Sequence, residues 1–382
     1  MRLGRVNQMQ FFRFIAFFLL FEYHASIWVP NYANNSVSGL FALFFFILLS
    51  GVMSSYSLYS KEDIAPTASN IFYYVKKKVF RFYPLYLVTN LIAVIYTVPT
   101  YMVSLHNYKE VLVKAFEFIA TIFMFQTWIF RPYVYNAASW YVASIVWLSI
   151  LNIPFSHISR KIMVKDKAIR KFVGIAVLGV IYSLLASAFS MAVLHLSEAD
   201  GITAHPLIIG GIYITGMAIG NIVIILKERL QAANVNTKLF TAIEITLVAL
   251  SLVVIEYKGS GNMFIYVLPI FLDCALLIVF MLGFGKISKL FSKKFFVMLG
   301  NITFEAYLLH QVIIFLFATS NNWASGSTLG NIYALTFCFT TSLVAAAIIY
   351  NTKNMSRSRY QEQMKIKNDI APIRKNVFET AI

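Results

Sequence analysis

The first apolar stretch of the sequence carries Arg13, Glu22 and His24. In a membrane-crossing segment such groups are costly and mark function by default. Arg13 and His24 are eleven residues apart. Eleven helical positions make three turns plus about 20°, so both side chains leave one face, about 16 Å apart along the axis. A buried imidazole stays neutral and suits general-base work. A guanidinium three turns away cannot pair with it. It can instead hold the anionic part of a ligand that spans the distance, such as a long, phosphate-bearing acyl carrier. Glu22 lies about 200° from His24 around the helix, a position for a packing or supporting residue. Taken singly, His24 could be an interhelical hydrogen-bonding residue and Arg13 a snorkelling end residue. The same-face pair favours function.

Further groups follow the same logic. Lys78 and Arg81 are i, i+3 neighbours and make either a phosphate site or ordinary topogenic charge. Tyr307 and His310 share a face. They could contact an acceptor, orient His24, or only stabilise a bundle. Ser50 could line a site, although a packing serine beside Gly51 is the simpler expectation. Cys274 and Cys338 lie in apolar runs with no base nearby in sequence, so no thiol or serine nucleophile constellation is visible. His106, His157, His195 and His205 fall at loop or span ends, and the histidines show no metal-ligand spacing.

The elements that must position these residues are membrane helices. Of the 382 residues 59% are hydrophobic and 13% charged, with 35 Phe and 22 Tyr. The mean hydropathy is +0.72. An ordinary soluble domain carries about 25% charged residues. Disordered, disulfide-scaffold and ordinary soluble-enzyme classes are excluded, and an all-α polytopic membrane bundle remains. The formal net charge of +16 is topogenic rather than a sign of nucleic acid. No cleavable signal peptide is visible.

Eleven stretches are long and apolar enough to be candidate spans: 10–30, 39–58, 80–98, 111–128, 139–154, 172–196, 206–226, 239–257, 263–283, 296–318 and 330–350. Basic segments bound them: Arg2 and Arg5, residues 76–81, six cations in 160–171, residues 227–238, residues 286–294, and the tail from Lys353. With the N-terminus inside, eleven crossings would put residues 160–171 outside, against the positive-inside rule. The charged stretch 111–128 is therefore expected to lie in the interface or re-enter. Ten crossings remain, with both termini cytoplasmic and Glu198 and Asp200 outside. Residues 1–350 form the membrane domain and 351–382 a basic cytoplasmic tail.

Four motifs stand in order. The first is Arg13 to His24, R-x10-H. Residues 44–51, FFFILLSG, are similar to an "FF-x-LSG" span with Ile47 in place of the second Phe. Residues 78–86, KVFRFYPLY, match "R-x-x-R-x-x-P-x-Y" with Lys78 for the first Arg, and residues 300–310, GNITFEAYLLH, match "Y-L-x-H". Together they resemble the acyltransferase family 3 membrane proteins, which O-acetylate bacterial surface glycans. One departure matters most. Trp140 begins a "W-S-L-x-x-E" motif in which Ile145 stands where the family has Glu.

The resemblance implies a multi-pass O-acyltransferase of the bacterial inner membrane. Cytoplasmic acyl-CoA, most often acetyl-CoA, would be the co-substrate, and a hydroxyl of a cell-surface or lipid-linked glycan the acceptor. It implies no permanently bound cofactor, no metal and no nucleic-acid partner. His24 would be the general base. Arg13, Lys78 and Arg81 would hold the donor phosphates, and Glu22, Ser50, Trp140, Tyr307 and His310 are candidates for acceptor contact or support. The rival class is a transporter or flippase of lipid-linked glycans. Against it, the sequence shows no paired broken helices at matching positions in two halves.

Overall fold

The computed structural model describes residues 5–28, 36–104, 108–197, 200–231, 235–256, 264–320 and 327–379. Arg2, His106 and Glu198 lie outside the described residues. Fourteen α-helices and two short 3-10 turns form the described chain, with no strand among the described residues. The helices are α1 Gln8–Ser26, α2 Ser36–Tyr59, α3 Ala68–Ser104, α4 Tyr108–Ile122, α5 Ser139–Leu148, α6 Asn152–Met163 and α7 Ala168–Ala192. They continue with α8 Pro206–Gln231, α9 Thr237–Ile255, α10 Phe264–Leu282, α11 Lys286–Phe291, α12 Lys294–Asn301, α13 Thr303–Ser320 and α14 Thr328–Glu379.

Helices α2 and α8 are the centre. Within its apolar window α8 is 94% buried and α2 83%, against 17% for α9 and 22% for α7 and α14. The central pair meets without side chains between the backbones. A Cβ on Gly51 would collide with the carbonyl O of Tyr213, and one on Gly216 with that of Leu48. Small residues at such crossings are the usual device for helix association in lipid. The outer helices turn leucines and aromatics away from the protein: Leu178, Tyr182 and Leu185 of α7 are exposed. Those faces suit lipid, since helices satisfy their backbone groups internally.

Seven helical segments are long and apolar enough to cross a membrane, or eight if the bent pair α12–α13 counts as one. The expected count of ten is not reached by this measure. The two shortfalls have physical reasons. Helix α1 carries Arg13, Glu22 and His24, which lower its hydropathy. The qualifying apolar part of α10 is only Val267–Leu282.

Helix α4 has 15 residues, about 22 Å of helix against a hydrocarbon core of about 30 Å. The stretch expected as 111–128 therefore stops at Ile122, and Met124 follows in the left-handed region at φ 61°. Glu117 is buried and bridged to Lys114 at 2.8 Å and Arg131 at 3.7 Å, while Leu112, Phe116 and Ile119 are exposed. Helices α5 and α6, joined by a 3-10 turn, make one 25-residue segment, longer than the expected 139–154. Residues beyond Tyr350 continue α14 as helix.

Candidate active site

At the end of the bundle where α1 finishes and α2 begins lies a cavity of about 530 Å³. Its lining includes His24, Trp140, Tyr141, Tyr307 and Gln311, with Trp28, Tyr133 and Thr203 among the residues contributed by loops and helix ends. Trp140 and Tyr141 come from the first turn of α5, and Tyr307 and Gln311 are one turn apart on α13. His24 is half-buried on the cavity wall, whereas His310 is fully buried.

The two histidines are bonded to each other. His24 Nδ1 and His310 Nε2 are 2.8 Å apart, with the rings stacked at 5.1 Å. His310 Nδ1 is bonded to the backbone carbonyl of Tyr307. A carbonyl oxygen can only accept, so His310 carries its proton on Nδ1. A neutral His310 then presents a lone pair at Nε2, and His24 Nδ1–H must donate to it. That leaves the lone pair of neutral His24 on Nε2. The chain carbonyl–His310–His24 sets the tautomer and ring orientation of His24. Of the three readings open for His310, orientation of His24 is the one this geometry matches. Phe17 and Phe21 pack against the His310 ring and complete its apolar surroundings.

Toward the other end of α1, Arg13 is half-buried and donates to Gln10 Oε1 at 3.2 Å. Arg81, Glu305 and Tyr141 are within its electrostatic reach, and Lys78 is within that of Arg81. Lys78 is half-buried with its ammonium over the Tyr74 ring at 5.4 Å, while Arg81 is exposed. Glu305 is 6% exposed and bridges Lys353 at 3.0 Å. Lys353 and Arg13 thus share one carboxylate, and Arg81 and then Lys78 extend the cationic group from Arg13. Excess positive charge of this kind is suited to phosphates.

Tyr141 connects the two ends. Its hydroxyl donates to the Phe46 carbonyl at 3.0 Å and meets Ser50 Oγ at 2.8 Å, and its ring packs edge-on against Tyr307. Ser50 thus bonds a residue of the cavity wall without being among the lining residues, and Gly51, its neighbour, makes the helix packing. Ile145 is buried among apolar residues, so α5 brings no carboxylate here. Glu22 is half-buried and is not among the residues lining the cavity.

Sequence reading selects Arg13, His24, Lys78, Arg81, Ser50, Tyr307 and His310 from the residues, and Trp140 from the family resemblance. It missed Tyr141, Gln311 and Lys353. Tyr141 and Gln311 each directly follow a selected residue, but only helix packing shows which neighbour turns toward the cavity. Lys353 was hidden in a run of topogenic charge.

A family model described as an acyltransferase domain, Acyl_transf_3, matches residues 6–351. The chain belongs to acyltransferase family 3. The match spans both ends of the site, from Arg13 and His24 on α1 to His310 on α13. No curated protein and no solved structure matches the chain. As a family 3 acyltransferase with several membrane-crossing helices, it is a multi-pass membrane protein.

Proposed function

We propose that the chain transfers an acyl group, acetyl first among them, from cytoplasmic acyl-CoA to a hydroxyl of a cell-surface or lipid-linked glycan. Its place is the bacterial inner membrane, with both termini cytoplasmic. The observation that carries this is the arrangement on α1: one helix holds an imidazole on the cavity and a guanidinium in the cation cluster, about 16 Å apart. Arg13, Lys78 and Arg81 bind the donor's phosphates, with Lys353 beside them. The thioester then lies toward the cavity.

His24 Nε2 takes the proton of the acceptor hydroxyl as its oxygen attacks the thioester carbonyl carbon. The C–S bond breaks, and the departing CoA thiolate takes the proton back from His24. Transfer is direct, without a covalent enzyme intermediate. His310 positions His24 and supports the positive charge that forms on it.

Membranes containing the protein, given labelled acetyl-CoA, should release free CoA and retain label in saccharide. Control membranes should not. A transporter or flippase would leave acetyl-CoA intact, and that result would retire the proposal.

A further inference from the structure

Four polar groups on the cavity wall have hydrogen-bonding capacity that the protein does not use. The Tyr307 hydroxyl, the Trp140 indole N–H, the Gln311 amide and His24 Nε2 bond no other described group, yet all four residues line one space. Trp140 is 7% exposed and Tyr307 6%. Their polar atoms open onto the cavity instead of being sealed in the protein, so a ligand that enters it can pair with them.

The set also describes the ligand. Trp140 donates, the Gln311 amide donates and accepts, and the Tyr307 hydroxyl does either. A ring hydroxyl matches such partners because it too donates and accepts. Among the described residues no Asp, Glu, Lys or Arg lines the cavity, and the cations collect near Arg13 instead. A charge carried into this space would remain unpaired, which is strongly unfavourable. Phe46 and Leu43 supply apolar wall for the C–H face of a ring.

Resting on the acyl-transfer reading, we infer that this cavity is the acceptor subsite and that it selects an uncharged saccharide ring. Trp140, Tyr307 and Gln311 hold its hydroxyls, and one of them is thereby presented to His24 Nε2. A ring bearing a carboxylate or phosphate at this position is rejected.

The test uses the full-length protein in lipid nanodiscs with labelled acetyl-CoA. The acceptor probes are octyl glucoside, galactoside and mannoside below their micellar concentrations, and the three corresponding uronides. At least one neutral glycoside should take label, and its uronide should take it at least tenfold more slowly. Gln311→Ala should raise the KM for that glycoside about tenfold relative to the KM for acetyl-CoA. Gln311→Asn, which keeps the amide, should raise it less. Equal labelling of a uronide, an unmoved glycoside KM in Gln311→Ala, or hydrolysis of acetyl-CoA with no neutral glycoside labelled would overturn the inference while leaving acyl transfer standing. A protein that does not consume acetyl-CoA at all would overturn both.

Discussion

At the scale of single residues, the site depends on which nitrogen of His24 holds the lone pair. The Tyr307 carbonyl fixes His310, and His310 fixes His24. His310→Ala removes the acceptor for His24 Nδ1–H and frees the wrong tautomer, so kcat should fall roughly 10- to 100-fold, as for lost supporting partners of a catalytic imidazole. His310→Gln can still offer an acceptor oxygen and should recover part of the rate. A structural role alone would give the two variants equal rates and altered protein levels. Arg13→Lys keeps the charge and loses the two-pronged guanidinium. It should raise the KM for acetyl-CoA more than it lowers kcat, and saturation curves against acetyl-CoA measure this directly. The R-x10-H pair was legible in the sequence because helical periodicity alone sets it. Tyr141 and Gln311 were not, since their orientation depends on α5 and α13 meeting α1 and α2.

At the scale of elements, α2 meets α8 through Gly51 and Gly216, and this contact holds Ser50 against Tyr141. A side chain at Gly51 must push the helices apart. Gly51→Val should therefore destabilise the bundle by about 1–3 kcal/mol, the usual cost of overpacking, and lower the heat-inactivation temperature in membranes. An unchanged temperature would mean the two helices have room that the geometry denies. Most helices were legible from apolar length. The stop of α4 at Ile122 was not, because the apolar run continues through Phe125 while the chain turns at Met124. Helix α1 falls outside the apolar count because Arg13, Glu22 and His24, the residues the sequence reading selects for chemistry, lower its hydropathy.

At the scale of the whole molecule, the cations gather at one end of α1 and the neutral cavity opens at the other. On the proposed function, donor and acceptor approach from opposite ends of the bundle. The expected sidedness can be checked at two exposed positions, Val164 and Ser197. Val164→Cys lies between the cations of residues 160–171 and should resist an impermeant thiol reagent on intact cells. Ser197→Cys, beyond the far end of α7, should react, both in a background with Cys274 and Cys338 replaced by serine. Reversed labelling would invert the topology. The most direct measurement compares the wild type with His24→Gln in inverted membrane vesicles supplied with labelled acetyl-CoA, at matched protein levels. Glutamine keeps polarity and hydrogen bonding but cannot take the acceptor's proton. Since general-base catalysis contributes a factor of about 10²–10⁴, label in saccharide should fall at least 100-fold. Undiminished labelling by His24→Gln would contradict a catalytic His24.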